Sequence, residues 1–342
     1  MPVILVDLDQ DQGRLLGLAL NRISGDWDEP LLARLLADLS AKAGLDLSLA
    51  GFGDDELKAL LRSLDRRARR HQPEDFDAVS ARANAQAAPP PVRPGDSWQL
   101  GDHRLVCGDS TDAATVAQLL DGERAAMAFT DPPYNVALGH HGGAAKRHRP
   151  IANDDLEDAA WSAFVRAWAA LLLAHVDGAL YVCMSTKEWG SLSHLLTTLG
   201  AHWSDTIVWA KDHFVLGRAD YQRAYEPIWY GWREGAHHSW LGGRDQSDVW
   251  TIPRPNDSPL HPTMKPLALI ERAIEHSSHP GDALLDLFLG SGSTLIACER
   301  TGRRCLGLEL DPAYCSIAIA RWEAFSGASA TLLARHPTEG ER

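Results

Sequence analysis

The apolar positions of this chain fall into two patterns that alternate: short continuous runs and longer stretches at helical spacing. Residues 125–130, 179–184 and 305–310, and the run Ala283-Leu284-Leu285, are short, continuous and apolar, as buried strands are. Residues 207–209 and 227–230 predict two further strands. Between them, residues 158–175 place Trp161, Phe164, Val165, Trp168, Leu171 and Leu172 on one helical face. Residues 111–120, 189–199 and 294–300 also read as helices, and Gly302 is placed to end the last. Residues 98–106 predict a hairpin that turns at Gly101-Asp102. Strands alternating with helices give an α/β fold, an open, largely parallel sheet with helices on both faces. Ligands of such sheets bind beyond the carboxyl ends of the strands.

The front of the chain has a different pattern. Residues 1–70 predict a small, mostly helical module. One helix opens at Asp28-Glu29-Pro30 and continues through Leu31, Leu32, Leu35, Leu36 and Leu39. A second starts at Asp54-Asp55-Glu56, carries Leu57, Leu60, Leu61 and Leu64, and ends in Arg66-Arg67-Ala68-Arg69-Arg70, where cations suit the helix dipole. Residues 71–96 are rich in Ala and Pro, and Pro89-Pro90-Pro91 with Pro94 reads as an extended linker. The 342 residues suffice for one large domain of about residues 97–330 plus this appendage.

Composition removes several function classes. No apolar run reaches the roughly eighteen residues of a membrane span, and MPVILVDLDQDQ has no signal-peptide pattern, so no membrane partner and a cytoplasmic setting are expected. The cysteines lack CxxC spacing, and Cys107, Cys183 and Cys305 sit in apolar runs as buried thiols. No set of histidines has ligand spacing, so no metal is expected. The net charge of −13 argues against a polyanionic partner until its distribution is considered. Lys146, Arg147, His148 and Arg149 form a local basic loop after His140-His141-Gly142-Gly143, either a solvated face or a phosphate contact. Residues 211–260 read as irregular. They interleave Lys211, Arg218, Arg223, Arg233 and Arg244 with Tyr221, Tyr225, Trp232 and Trp240, which suits phosphate contact and base stacking.

The chemistry concentrates at two strand ends. The 125–130 strand runs into Asp131-Pro132-Pro133-Tyr134. The paired prolines lack N–H groups and stiffen the chain, leaving an acid, outward carbonyls and an aromatic face together. That set suits an exocyclic amine on a flat ring. Downstream, Asp286-Leu287-Phe288-Leu289-Gly290-Ser291-Gly292 leads from a strand through a glycine turn to a helix and a second strand ending in Glu309. Gly290 and Glu309 are roughly twenty residues apart, the order and spacing of a nucleotide-binding unit. The third glycine of GxGxxG is absent, which favours a nucleoside over a dinucleotide.

The tetrapeptide at 131–134, then His261-Pro262-Thr263-Met264-Lys265-Pro266, then DLFLGSGST at 286–294 and LGLELDP at 306–312 together resemble the amino-group DNA methyltransferases that use S-adenosylmethionine, in their beta arrangement. The resemblance covers about residues 97–325 and implies a Rossmann-like methyltransferase domain. It implies that Asp131, Pro132, Pro133 and Tyr134 are catalytic, with Asp131 also beside the cofactor. Phe288, Gly290, Ser291 and Gly292 would cradle S-adenosylmethionine, Glu309 would hold its ribose, and Thr263 with Lys265 would meet its carboxylate. Asp286 would bind the cofactor or cap the turn. Asp109 would lie near the adenine or cap the 111–120 helix. Residues 211–260 match the family's target-recognition segment. The implied partner is double-stranded DNA, and the implied reaction is N6 methylation of a flipped-out adenine. Cytosine N4, an RNA or protein glutamine substrate, and a DNA-binding adaptor with an inactive methyltransferase half are the competing readings. A homodimer is an option the resemblance leaves open, as are host, phage and restriction-modification roles. Residues 3–32 look like the later half of a ParB-like nuclease-type domain whose Gly-His-Arg front half is missing, so no activity is carried over to them.

Overall fold

The computed structural model describes residues 9–21, 91–137, 151–215, 220–253 and 264–335, with single positions at 32, 35, 36, 38, 39 and 76. The chain divides into two compact units, Met1–Gln72 and Pro73–Arg342. In the first, helix α1 (Gln10–Asn21) begins with a reciprocal cap. Asp9 Oδ1 accepts the Gln12 N–H at 2.8 Å, and Gln12 Oε1 accepts the Asp9 N–H at 3.1 Å. Leu32, Leu36 and Leu39 are helical and buried, in keeping with the helix read from residue 28. The helix expected from residue 54 lies outside the described residues.

In the second unit the strands are β1 (Ser97–Leu100), β2 (His103–Cys107), β3 (Met127–Thr130), β4 (Leu180–Cys183), β5 (Ala201–Val215), β6 (Arg223–Arg233), β7 (Val249–Thr251), β8 (Ala283–Asp286), β9 (Arg304–Glu309) and β10 (Thr331–Ala334). The helices are α2 (Ala113–Leu120), α3 (Asp158–His175), α4 (Trp189–Thr198), α5 (Leu267–Ser277), α6 (Ser293–Thr301) and α7 (Pro312–Ser326). Among the described residues the strands form one sheet in the order β10-β1-β2-β9-β8-β3-β4-β6-β5-β7. The centre, β2 through β4, is parallel. β1, β6 and β10 add antiparallel flanks, and β7 pairs parallel with β5 at the far edge.

Alternation along the strands divides the core between two faces. Met127, Phe129, Tyr181 and Cys183 point to the face covered by α5, α6 and α7. Ala128, Leu180, Val182 and Leu285 point to the face covered by α2, α3 and α4. The five cysteines are buried and free. No described helix is long and apolar enough to cross a membrane.

The strand order places the site. From β3 the chain crosses by α3 to β4, on one side. From β8 it crosses by α6 to β9, on the other. β3 and β8 are neighbours, with Met127 opposite Leu284, so the direction of winding reverses between them. A crevice opens at such a switch point, beyond the carboxyl ends of the strands. Residues 131–134 and 287–292 are the loops that leave these two ends.

Two expectations need correction. β5 and β6 are far longer than residues 207–209 and 227–230, so residues 211–215 and 223–233 are strand rather than irregular chain, with the register shifted between Ala210 and Val215. Only the middle of β6 is buried, and its polar ends hide the pattern. Helix α2 is capped by Asp112, whose carboxylate accepts the Ala114 and Thr115 N–H groups, not by Asp109.

A buried polar knot joins the hairpin to the helices. The Cys305 N–H donates to His103 Nδ1 at 2.9 Å, so Nε2 carries the proton and donates to Glu299 Oε2 at 2.8 Å. Trp322 Nε1–H donates to the same oxygen at 3.1 Å. Glu299→Leu removes the acceptor of two buried N–H groups and is expected to cost about 2–3 kcal/mol. Urea unfolding checks this, and an unchanged midpoint would refute it.

Candidate active site

Asp131 leaves β3 with its carboxylate mostly buried and both oxygens occupied. Tyr134 donates its hydroxyl hydrogen to Oδ1 at 2.7 Å, and Lys265 Nζ donates to Oδ2 at 2.7 Å. The Tyr134 N–H is held by Asp154 Oδ1 at 2.9 Å, which fixes the turn after the prolines. The Lys265 ammonium also lies 5.2 Å from the centre of the Tyr134 ring.

A second acid completes the cluster. Glu226 on β6 brings Oε2 to 3.3 Å from Lys265 Nζ and to 3.3 Å from the Tyr134 hydroxyl. Its Oε1 accepts from Lys211 of β5. Glu226 and Lys211 are the cluster residues that motif reading missed as a pair. The available signal was an acid directly before the buried run Pro227-Ile228-Trp229-Tyr230.

Burial raises the Asp131 pKa, against the pull of Lys265. Burial acts on Glu226 in the same sense, but Lys265 and Lys211 outweigh it and hold Glu226 down at about 2. Burial favours a neutral Lys265, yet Asp131 and Glu226 together raise it above the ordinary lysine value. Burial and the two carboxylates keep the Tyr134 hydroxyl protonated, as a donor.

The β8 loop meets this cluster through a direct bond: Thr130 Oγ1–H donates to Asp286 Oδ1 at 2.9 Å. Asp286 also accepts the Phe288 N–H at 3.0 Å, so it does close the turn. Gly290 and Gly292 both have positive φ, at 55° and 86°. A Cβ on Gly292 would also lie 3.1 Å from Ala318 Cβ. Glu309, at the end of β9, accepts the Gly290 N–H on one oxygen and the Asp311 N–H on the other, each at 2.8 Å. Behind the loop the buried Arg321 donates to the Ser291 carbonyl at 3.0 Å and to Ser293 Oγ at 3.2 Å, a support that no motif disclosed. Asp109 accepts from the N–H and the hydroxyl of Thr111, both at 2.8 Å.

A cavity of about 570 Å³ opens here, within the usual range for small-ligand sites. Asp131, Pro132, Pro133 and Tyr134 lie on its wall, and so do Lys265 and Asp109. Asp286, Phe288, Gly290, Ser291 and Glu309 line it as well. Gly292 opens α6 behind that wall. Thr263 lies outside the described residues, as do Arg218 and the basic loop at 146–149. The lining is rich in carboxylates, including Asp109, Asp286, Glu309 and Asp311, against the lysine Lys265. It suits a cationic ligand with hydroxyl donors, and Phe288 offers it an aromatic surface that Trp168 braces edge-on at 5.6 Å. A nucleoside sulfonium therefore fits the residues present.

The family model described as DNA methylase matches residues 125–320, more than half of the chain. A model of the ParB-methyltransferase HTH domain matches residues 30–94. The ParB likeness read in the N-terminal part of the chain is thus supported, as a helix-turn-helix domain over residues 30–94. DNA adenine methyltransferase YhdJ of Escherichia coli (strain K12) is 26% identical over 260 residues, spanning 66% of this chain and 85% of that protein. Type II methyltransferase M.HpaI of Haemophilus parainfluenzae is 26% identical over 254 residues, 66% of this chain and 76% of that one. Among solved structures, the cytosine-N4-specific PvuII DNA methyltransferase shares the fold, with a TM-score of 0.51 at 16% identity over 69% of this chain and 98% of that chain.

Proposed function

This chain belongs to the N6/N4 DNA methylase family, and from that premise we propose that it methylates N6 of adenine in double-stranded DNA, on a base turned out of the helix. The observation that carries the reading is the Asp131 carboxylate, held at 2.7 Å by both Tyr134 and Lys265, on the wall of the cavity that also contains the glycine loop. The aspartate at the head of the tetrapeptide favours adenine, as does the likeness to a relative named as an adenine methyltransferase.

The cofactor is S-adenosylmethionine, which when bound supplies a methyl group on a sulfonium. The chain's own residues do the rest. Glu309 and Asp109 accept ribose and adenine hydrogens, Phe288 covers a ring face, and Asp286 keeps the loop closed onto β3. In this reading Lys265 and Thr263 would meet the cofactor's carboxylate, as the motif implies. Asp131 accepts one hydrogen of the exocyclic amine and the Pro132 carbonyl accepts the other. The nitrogen lone pair then turns out of conjugation with the ring, so orientation and fixed dipoles lower the barrier. The nitrogen must shed one proton as it gains the methyl, and Asp131, its pKa raised by burial, is the base within reach. Tyr134 supports the extruded base by stacking, its own hydroxyl anchored on Asp131. The unstacking this requires costs a few kcal/mol.

Cofactor affinity is expected to depend on pH. Burial pushes Glu309 up to about 7 and Asp286 up to about 6. A cationic ligand that donates hydroxyl hydrogens prefers both ionised, so affinity rises as pH climbs through these values. The free protein responds in the opposite sense. Carboxylates whose pKa is raised on folding contribute stability that is lost as pH rises from the unfolded value toward the folded one. Calorimetric titration with S-adenosylmethionine on either side of pH 7 tests this, and a flat or inverted profile would refute it.

The deciding experiment incubates the protein with unmethylated genomic DNA and S-adenosylmethionine, digests the DNA to nucleosides and measures methylated bases by mass spectrometry. N6-methyladenine is expected. N4-methylcytosine would move the reading to cytosine. Neither product, with cofactor binding measured separately, would overturn it in favour of a DNA-binding adaptor, a role the match at residues 30–94 would then explain.

A further inference from the structure

We propose that Glu226 is a positioning residue for methyl transfer, setting Asp131 by holding both of its hydrogen-bond donors, Tyr134 and Lys265. The inference rests on the assignment of Asp131 as the acceptor of the amine. Glu226 lies on β6 opposite Trp209 of β5, remote in sequence from the 131–134 turn. Its Oε2 stands 3.3 Å from Lys265 Nζ and 3.3 Å from the Tyr134 hydroxyl, the two groups that occupy the Asp131 oxygens. Its Oε1 is bound by Lys211, whose ammonium rests 4.8 Å from the centre of the Trp209 ring. Charges therefore alternate along Lys211, Glu226, Lys265 and Asp131, two positive and two negative. The lysine side chains are almost sealed, 7% and 4% exposed, so their charge cannot be left to solvent.

The arrangement matters because Asp131 must give acceptor capacity to the incoming amine. With Glu226 present, Lys265 divides its ammonium between two carboxylates, and the Tyr134 hydroxyl has a second acid at its back. Without it, the Lys265 ammonium loses the carboxylate that shares it and bears more strongly on Asp131. Asp131 would be drawn toward the ammonium, away from the amine, and would become a weaker base. Among the described residues, the other titratable groups facing Asp131 include Cys183 of β4 and Asp286 of β8, and neither can take the place of Glu226 between the lysines.

The test compares Glu226→Gln and Glu226→Asp with the wild type. Methyl transfer to unmethylated DNA is followed with labelled S-adenosylmethionine across the pH range in which each protein stays folded. Cofactor affinity is measured by calorimetry, and acetylation of Lys265 by mass spectrometry on the protein without DNA. For Glu226→Gln, kcat is expected to fall roughly ten- to a hundred-fold while cofactor affinity stays within about twofold. The acid limb of the kcat profile moves to lower pH, since Asp131 loses a repelling neighbour, and Lys265 acetylates faster. Glu226→Asp recovers part of kcat. An unchanged kcat would overturn the proposal. So would a loss of kcat accompanied by an equal loss of affinity, with the acid limb and Lys265 reactivity unmoved, because that is a merely structural effect. A wild type that methylates cytosine corrects the base and leaves Glu226 in place. A wild type that transfers nothing sinks the assigned function, and Lys265 reactivity then still decides whether Glu226 holds it.

Discussion

Asp131→Asn is expected to lower methyl transfer by roughly a thousandfold or more while leaving affinity for S-adenosylmethionine within about threefold. Asparagine keeps the shape of the side chain and one acceptor oxygen, so no cavity confuses the result. It removes the charge that stabilises an amine hydrogen leaving the ring plane, and it puts an NH2 donor where Tyr134 or Lys265 now donates. Lys265 keeps Glu226 as a carboxylate partner, so the fold should hold. The readouts are initial rates at saturating DNA, calorimetry for the cofactor and thermal unfolding. Activity within tenfold of wild type would remove Asp131 from the chemistry. A cofactor affinity that falls with the rate would move the acid to the cofactor side of the cavity, the second of the two roles its motif implies.

The contrast between Asp131 and Glu226 shows what a sequence makes legible here. Asp131 ends a four-residue apolar strand and is followed by Pro132-Pro133, so strand end, stiffness and acid are written in adjacent letters. The glycine turn is equally local, because Gly290 and Gly292 must adopt positive φ and the acid of β9 follows at fixed spacing. Helix α3 was readable to the residue, since its apolar face repeats across the full length Asp158–His175. Glu226 and Lys211 were not, because their meeting depends on the antiparallel register of β5 and β6. Both strands run well past their buried middles, into polar ends that carry no alternation. The same holds for Lys265. Its motif neighbours suggested a cofactor carboxylate, while the tertiary fold brings its ammonium to Asp131 and Glu226. Asp109 illustrates the local limit: it reads as a candidate cap for a helix from residue 111, but α2 begins at Ala113 and is capped by Asp112, leaving Asp109 to bind Thr111 on the cavity wall.

Glu309 should dominate the affinity for the cofactor, with Glu309→Ala weakening S-adenosylmethionine binding roughly ten- to a hundred-fold, the range expected for losing hydrogen bonds to a charged group. Two losses combine. The ribose hydroxyls lose their carboxylate, and the Gly290 and Asp311 N–H groups lose the acceptor that ties the glycine loop to the start of α7. Glu309→Gln separates them. Its single amide oxygen can still serve one N–H, so the loop stays closer to its native form, while the charge that favours a cationic ligand is gone. The glutamine variant should therefore bind more tightly than the alanine variant and lose most of the rise in affinity near pH 7, since burial places the Glu309 pKa at about 7. The rise near pH 6, which Asp286 contributes, should persist. If both variants bind as tightly as the wild type, Glu309 only braces the loop and the ribose is held elsewhere. If the glutamine variant keeps the full pH profile, the titrating group in the cavity is not Glu309, and the ribose assignment falls with it.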